Sequence, residues 1–396
     1  MSNLPWGNNQ NLTDDEFYNR DYELNNLKSL LETTSQGHAP DILLTGIRGV
    51  GKTVFLQKMK RTLEKDYLTI YLDLSHSECF QKNNMSINGL MNYFFKEIIK
   101  ECYKQNITTL DKKLEKYFKS NDIKIREFIK IDKIQLPVFS LEENTEKTVN
   151  FVFNLPEKIY EENQDKIKGI IIFIDEFQII KELGKYKESF LWKMRSYIQN
   201  QRNVAYLFSG STSLQDKFIS EIAGQNGVFG GRMITLQINP FEKETVKNYL
   251  NEKVPEIIFS EEGFERFYKC TKGIPSYVNI FASLLPTNEE LDEKEIINQF
   301  NKKITAISSH LINIWTRLSY REQTIIILLL DEPLKRIDIA NKLNISSGSL
   351  SNYLTNLQNQ DIIHLNNKKY EINEKILKKW LEIEYEEKGV YPYRQI

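Results

Sequence analysis

The sequence predicts an α/β protein: a doubly wound parallel-sheet domain, then short helices, then a compact helical module with one hairpin. Three observations carry this reading. A glycine-rich loop, "GIRGVGKT" (46–53), lies between an apolar strand and an amphipathic helix. A second apolar run, "GIIIFI" (169–174), is followed at once by Asp175 and Glu176. Strand-like segments stop after Pro240, where helical spacing takes over.

Residues 12–31 carry apolar residues at 24, 27, 30 and 31, a helical stripe. "DILLTG" (41–46) is a short strand entering the glycine loop, and 53–65 continue as a helix. "YLTIYLDLS" (67–75) is a strand. An insertion of about 76–168 is rich in helical pattern and holds a Pro-containing extended piece, "IKIDKIQLPVFSLE" (129–142). It either extends the cover of the sheet or offers a partner a docking place. "GIIIFIDEF" (169–177) is a buried strand of a parallel sheet, and "ESFLWKMRSYIQN" (188–200) is an amphipathic helix. "NVAYLFSGS" (203–211) and "MITLQINPF" (233–241) are further strands.

Bulk properties narrow the class. The chain has 396 residues, 40% apolar and 27% charged, as in a soluble globular protein of two or three domains. The net charge of −1 gives no global pull toward nucleic acid or anionic membrane, so such binding needs a local patch. Cys79, Cys102 and Cys270 are scattered, which argues against a disulfide framework or a CxxC site and fits a reducing cytoplasm. No histidine lies near a cysteine or acidic cluster at zinc-ligand spacing. The N-terminus lacks the pattern of a signal peptide, and no apolar run approaches the ~20 residues that span a bilayer.

Gly46, Ile47, Arg48, Gly49, Val50, Gly51, Lys52 and Thr53 match G-x-x-x-x-G-K-[ST] in full, with Val54 next. Successive N–H groups of such a loop point at a phosphate, and the following helix offers its positive end to the same anion. Lys52 reaches the β- and γ-phosphates of ATP or GTP, and the Thr53 hydroxyl is a ligand for Mg²⁺. The apolar strand delivers Asp175, a second Mg²⁺ partner, to the carboxyl edge of the sheet, where open α/β sheets bind ligands. Glu176, one residue on, polarises the attacking water. Ser209 and Ser211 end the next strand, either beside the γ-phosphate or as ordinary strand-end serines.

The order of "FYNRDYELNNLKSLL", "GIRGVGKTVFL", "FIDEFQII", "LFSGSTSL", "GRMITLQINPF" and "TKGIPSYV" resembles prokaryotic AAA-type P-loop ATPases, in particular the archaeal-type group related to the STAND nucleotide switches. The resemblance covers residues 15–390 and is weakest over 76–168. It implies a P-loop ATPase domain over 1–240, a helical lid over 241–310, and a winged helix-turn-helix domain with a tail over 311–396. It implies that Arg20 helps form the nucleotide pocket; the alternative is a surface arginine. It places Pro275, in Gly273-Ile274-Pro275, in the lid near the base; the alternative is a turn without ligand contact. It implies that Arg232 is an arginine finger acting in trans on a neighbour's γ-phosphate within a homo-oligomer. The alternative is a strand-start arginine paired to a surface acid.

The last stretch fits the winged-helix plan. Ser319 and Glu322 form a capping box. Helices over 336–344 and 347–360 follow, then "IIHLNNKKYEI" with Asn366–Asn367 at a hairpin tip. Ser349, Ser351, Asn352, Thr355 and Asn356 face outward from the third helix, toward base edges if that helix enters a major groove. Phosphate contacts would come from Lys335, Arg336, Lys342, Lys368 and Lys369. Residues 335–379 hold eight basic and four acidic side chains, a modest patch. A protein-docking module is the alternative. The sequence thus predicts an ATP- and Mg²⁺-dependent ATPase coupled to duplex DNA or a DNA-bound partner. Its rival is a STAND-like switch in signalling or antiviral defence, with slow turnover and protein rather than DNA partners.

Overall fold

The computed structural model of the chain describes residues 12–13, 16–107, 125–131, 134–139, 145–210, 217–360 and 362–393. It divides into two compact units, 9–239 and 240–396.

The first unit contains, in chain order, α1 (Asp21–Glu32), β1 (Asp41–Thr45), α2 (Lys52–Leu63), β2 (Leu68–Asp73), α3 (Glu78–Gln81), α4 (Ile87–Lys104), β3 (Ile125–Ile131), β4 (Ile134–Phe139) and α5 (Thr145–Glu162). It continues with β5 (Ile170–Asp175), a kinked 3₁₀ segment Phe177–Tyr186, α6 (Lys187–Ile198), β6 (Val204–Ser209), α7 (Lys217–Ala223) and β7 (Ile234–Gln237). Five strands form one parallel sheet in the order β2-β5-β6-β1-β7. Parallel neighbours need crossover connections, and helices supply them. Both faces of the sheet are therefore covered, which is why β5 and β6 read as unbroken apolar runs.

One face packs Leu72, Ile172 and Phe208 against Phe94 and Phe95 of α4, Phe153 of α5 and Phe190 of α6. The other packs Ile171, Phe173 and Leu207 against Leu27 and Leu31 of α1 and Leu56 and Met59 of α2. The insertion over 76–168 thus includes two helices, α4 and α5, that cover the sheet. Its Pro-containing piece falls within an antiparallel pair, β3–β4, in which Pro137 opposes Phe128. β2 is an edge strand. The Gln105 amide closes its backbone at Thr69, donating from Nε2 to the Thr69 carbonyl (3.0 Å), a device that blunts an open edge.

The second unit contains α8 (Lys243–Lys253), β8 (Ile258–Phe259), α9 (Glu261–Thr271), α10 (Pro275–Ser283), β9 (Glu290–Leu291), α11 (Glu293–Ile307) and α12 (Ser309–Arg317). It ends with α13 (Tyr320–Asp331), α14 (Arg336–Leu343), a 3₁₀ turn Gly348–Leu350, α15 (Ser351–Asn359), β10 (Ile363–Asn366), β11 (Lys369–Ile372) and α16 (Lys375–Lys388). The expectation that strands stop after Pro240 needs correction: β8 and β9 pair in parallel. At two residues each, they are too short for hydrophobic alternation to register. In this core Phe267 stacks on Phe281 (centroids 5.1 Å apart), and Phe300 meets Phe281 edge-on (5.3 Å). Further on, Trp315 is buried against Trp380 and donates its Nε1–H to the Pro392 carbonyl.

The Ser319–Glu322 capping box is present at the start of α13. Two local readings differ. The helix expected over 347–360 begins as the 3₁₀ turn and becomes α-helical only at Ser351. The hairpin tip is Asn367–Lys368, because Asn366 pairs with Lys369. Both tip residues have positive φ (47° and 63°), the backbone that a two-residue turn of this twist requires.

Candidate active site

The glycine loop leaves the carboxyl end of β1 and is shaped by its neighbours. Gly46 has φ of 154°, and a Cβ there would sit 2.6 Å from the Ile238 carbonyl oxygen, so the residue beyond β7 leaves room only for glycine. Gly51 has φ of 97° and forms the N-cap of α2, whose first residue is Lys52. The Lys52 side chain is buried and folds back on the loop. Its Nζ donates to the carbonyls of Gly46 (2.7 Å) and Ile47 (3.1 Å). Arg48 is exposed at the loop tip.

Asp175, 1% exposed at the end of β5, accepts from four donors. Thr53 Oγ1 (2.7 Å) and the Tyr71 hydroxyl (2.8 Å) bond its Oδ2. The Ser209 hydroxyl and the Glu176 N–H (2.9 Å) bond its Oδ1. Residues 122 positions apart in the chain, Thr53 and Asp175, are thus in direct contact. Burial, followed by the Asp175 charge, pushes the Tyr71 hydroxyl above its ordinary range. Asp73 ends β2 in register with Asp175 and accepts from the Ser75 N–H (2.9 Å).

Glu176 adopts a left-handed backbone, with φ of 54° and ψ of 37°, which turns the chain sharply after the strand. Burial, then the neighbouring Asp175 charge, pushes its carboxyl above the usual carboxylate range. The Gln178 amide and the Lys52 charge oppose that rise. Gln178 Nε2 donates to Glu176 Oε2. A carboxyl raised in this way is a stronger proton acceptor than a solvated one.

The donor set meeting at Thr53 and Asp175 is all oxygen, which suits a hard divalent cation such as Mg²⁺. Among the described residues, no three His, Cys, Asp or Glu side chains cluster to hold a metal by themselves. A cation here would complete its shell from phosphate and water, the habit of Mg²⁺.

A family model described as an ATPase domain predominantly from Archaea matches residues 17–281, more than half of the chain. The chain belongs to that family. As an ATPase of this archaeal-type family it binds and hydrolyses ATP. Two uncharacterised ATP-binding proteins of Methanocaldococcus jannaschii are similar to this ATPase. One is 22% identical over 277 residues, 66% of this chain and 68% of the relative. The other is 23% identical over 270 residues, 63% of this chain and 68% of the relative. A Walker-type ATPase of Pyrococcus abyssi has a similar fold, with a TM-score of 0.59 and 18% identity over 93% of this chain and 98% of that one.

The other predicted site residues of this archaeal-type ATPase have varied surroundings. Arg20 is buried at the start of α1, where Nη1 bonds Glu23 (3.0 Å) and Nη2 bonds the Asn239 carbonyl (2.5 Å). Desolvation lowers its pKa. Asn239 follows Ile238, so Arg20 braces the same sheet edge that carries the loop. Arg232 is exposed and has no ion pair among the described residues. Pro275 opens α10, and Gly273 has structural work: a Cβ there would collide with the Phe241 carbonyl oxygen at 1.9 Å. Val54 lies in the first turn of α2. Ser211 lies outside the described residues.

In the second unit, Ser349, Asn352, Thr355 and Asn356 are exposed. Ser351 and Asn356 are not free: Arg336 bonds Ser351, and Asn356 bonds buried Glu322 of α13. Lys368 and Lys369 are exposed on the hairpin.

Tyr71 and Gln178 escaped the sequence reading. Tyr71 shares a strand face with Thr69 and Asp73, a faint signal without the register of β2 and β5. Gln178 lies two residues beyond Glu176, close in sequence but informative only once the left-handed turn brings it back.

Proposed function

We propose that this ATPase works with Mg²⁺ held at Thr53 and Asp175, with Lys52 and the loop N–H groups on the phosphates and Glu176 as general base. The observation that carries the reading is the contact of Thr53 with Asp175, beside a carboxyl whose proton affinity is raised. When bound, Mg²⁺ supplies charge neutralisation at the β- and γ-phosphates. Lys52 exchanges its bonds to the Gly46 and Ile47 carbonyls for phosphate oxygens. Glu176 takes one proton from water as the water oxygen attacks the γ-phosphorus. The bond to the β–γ bridging oxygen breaks, and ADP leaves with that electron pair.

Arg232 acts in trans in this reading. Ile42 pairs with Ile234, so Arg232 precedes β7 at the amino edge of the sheet, opposite the edge carrying its own loop. A second copy is the partner it can serve. The C-terminal helices and hairpin act as a winged helix that contacts duplex DNA, with Asn352 toward bases and Lys368 and Lys369 on phosphate. Helices 241–310 form the lid, with Pro275 at the start of one of them, and the cytoplasm is the site of action.

The test is the ATPase rate over a range of protein concentrations, with and without duplex DNA. Turnover that rises with concentration and again with DNA is expected. Mixing Arg232→Ala with Glu176→Gln should restore part of the activity that each lacks alone; no recovery in a mixture shown to co-assemble removes the trans role. A second reading is favoured by one observation: Ser351 and Asn356 are bonded within their own unit. It is a nucleotide switch with slow turnover and a protein partner. A rate indifferent to DNA, with no binding of duplex at low salt, selects it.

A further inference from the structure

The side chain of Gln178 has a donor in use and an acceptor to spare. Its Nε2 donates to Glu176 Oε2, which fixes the amide orientation because a carboxylate accepts and does not donate. The other end, Oε1, is buried and has no hydrogen-bond partner. A buried unpaired acceptor is costly, so a chain that keeps one needs a reason. The acceptor lies against Gly210, the first residue after β6, where a Cβ would sit 2.4 Å from Oε1. Gly210 has no positive φ, so its backbone does not demand glycine. What the missing Cβ preserves is room for the amide. The preceding residue, Ser209, bonds Asp175. Gln178 is therefore wedged between the proposed base and the strand end beside the proposed metal site.

An attacking water has two hydrogens. A general base takes one; a second acceptor must fix the other if the oxygen lone pair is to aim at phosphorus. We propose that Gln178 is a catalytic residue that holds this water together with Glu176, its Nε2–H steadying the Glu176 carboxylate and its Oε1 accepting the water's second hydrogen. The proton balance is that of the hydrolysis above: one hydrogen goes to Glu176, and the other stays on the oxygen that becomes part of inorganic phosphate. The inference rests on the assignment of Glu176 as base.

Three variants of the full chain test it: Gln178→Leu, Gly210→Ala and, as the reference, Glu176→Gln. Gln178→Leu keeps the volume and loses both polar atoms. Gly210→Ala leaves Gln178 and Glu176 chemically intact but pushes the amide aside. Each should lower kcat by about 10- to 100-fold, the lower end of what a positioned proton-transfer partner contributes. The dissociation constant for ATP should stay within about twofold of the parent in both. Gln178→Leu also takes the donor from Glu176 Oε2, so the two losses oppose each other in the melting temperature, and the fall in kcat at constant ATP affinity is the deciding reading. A merely structural glutamine would give a lower melting temperature with kcat intact in both variants. If Glu176→Gln still hydrolyses ATP, the base assignment fails and takes this inference with it. If Glu176→Gln is inactive while Gln178→Leu and Gly210→Ala turn over like the parent, the inference alone is overturned.

Discussion

The carboxyl edge of the sheet and the face of α15 were both expected to present polar side chains to a ligand, and they behave differently. At the sheet edge, Thr53 of α2, Tyr71 of β2 and Ser209 of β6 converge on the Asp175 carboxylate at the end of β5. On α15, Asn352 and Asn356 are both exposed, but Asn356 is bonded to buried Glu322 and the half-buried Ser351 to Arg336. The first pattern is set by backbone: a glycine loop and a strand end can go nowhere else. The second rests on helical spacing alone, and spacing does not tell a side chain whether to face solvent or a buried partner on the next helix. A motif that constrains φ and ψ is a stronger site predictor than a row of polar residues.

The largest expected effects fall at the sheet edge. Lys52→Ala should weaken ATP binding by about 100-fold or more, whereas Glu176→Gln should keep binding and lose about 10³-fold in kcat. Equilibrium binding and steady-state turnover on both variants check this division of labour. Equal losses in both quantities for both variants would break it.

The opposite edge of the same sheet gives a control without catalysis. Asp41 begins β1, and burial pushes its carboxyl from 3.8 up to about 7. The folded chain therefore holds a proton that the unfolded chain releases, and stability is lost as pH rises from about 4 to about 7. Asp41→Asn should be more stable than the parent at pH 8, by up to about 4 kcal/mol, with a smaller gain at pH 5. Urea denaturation at the two pH values measures the difference, and activity should not change.

The contrast on α15 is sharpened by a pair of substitutions. Asn356→Ala leaves buried Glu322 without that partner and should destabilise the chain by about 1–3 kcal/mol. Asn352→Ala should cost less than about 0.5 kcal/mol, as exposed positions do. Thermal melting of the two variants decides whether the neighbouring asparagines differ as described. If Asn352→Ala is the costlier, the bond from Asn356 to Glu322 does not contribute as described.

The mildest change at the sheet edge is Tyr71→Phe, which removes one of four donors to Asp175 and leaves the ring in place. A loss of about 1 kcal/mol, or roughly fivefold in the Mg²⁺ concentration that half-saturates ATP binding, is expected. Metal titration followed by nucleotide binding reads it. No shift would mean that Thr53, Ser209 and the Glu176 N–H are sufficient to orient the carboxylate.

By itself the sequence determined the parallel-sheet domain, its glycine loop and the Asp175–Glu176 strand end, because each depends on short-range rules: apolar runs bury, glycine permits positive φ, and a loop of fixed spacing cradles phosphate. It also located the Ser319 capping box, whose two partners lie three residues apart. Tertiary structure alone decided the rest. The order β2-β5-β6-β1-β7 put Tyr71 and Ser209 on Asp175, since register between strands is not written in any one strand. Packing between helices turned Asn356 toward Glu322. The left-handed turn at Glu176 folded Gln178 back against Gly210, more than thirty residues away in the chain, where the space that glycine leaves is visible only once both segments are in place.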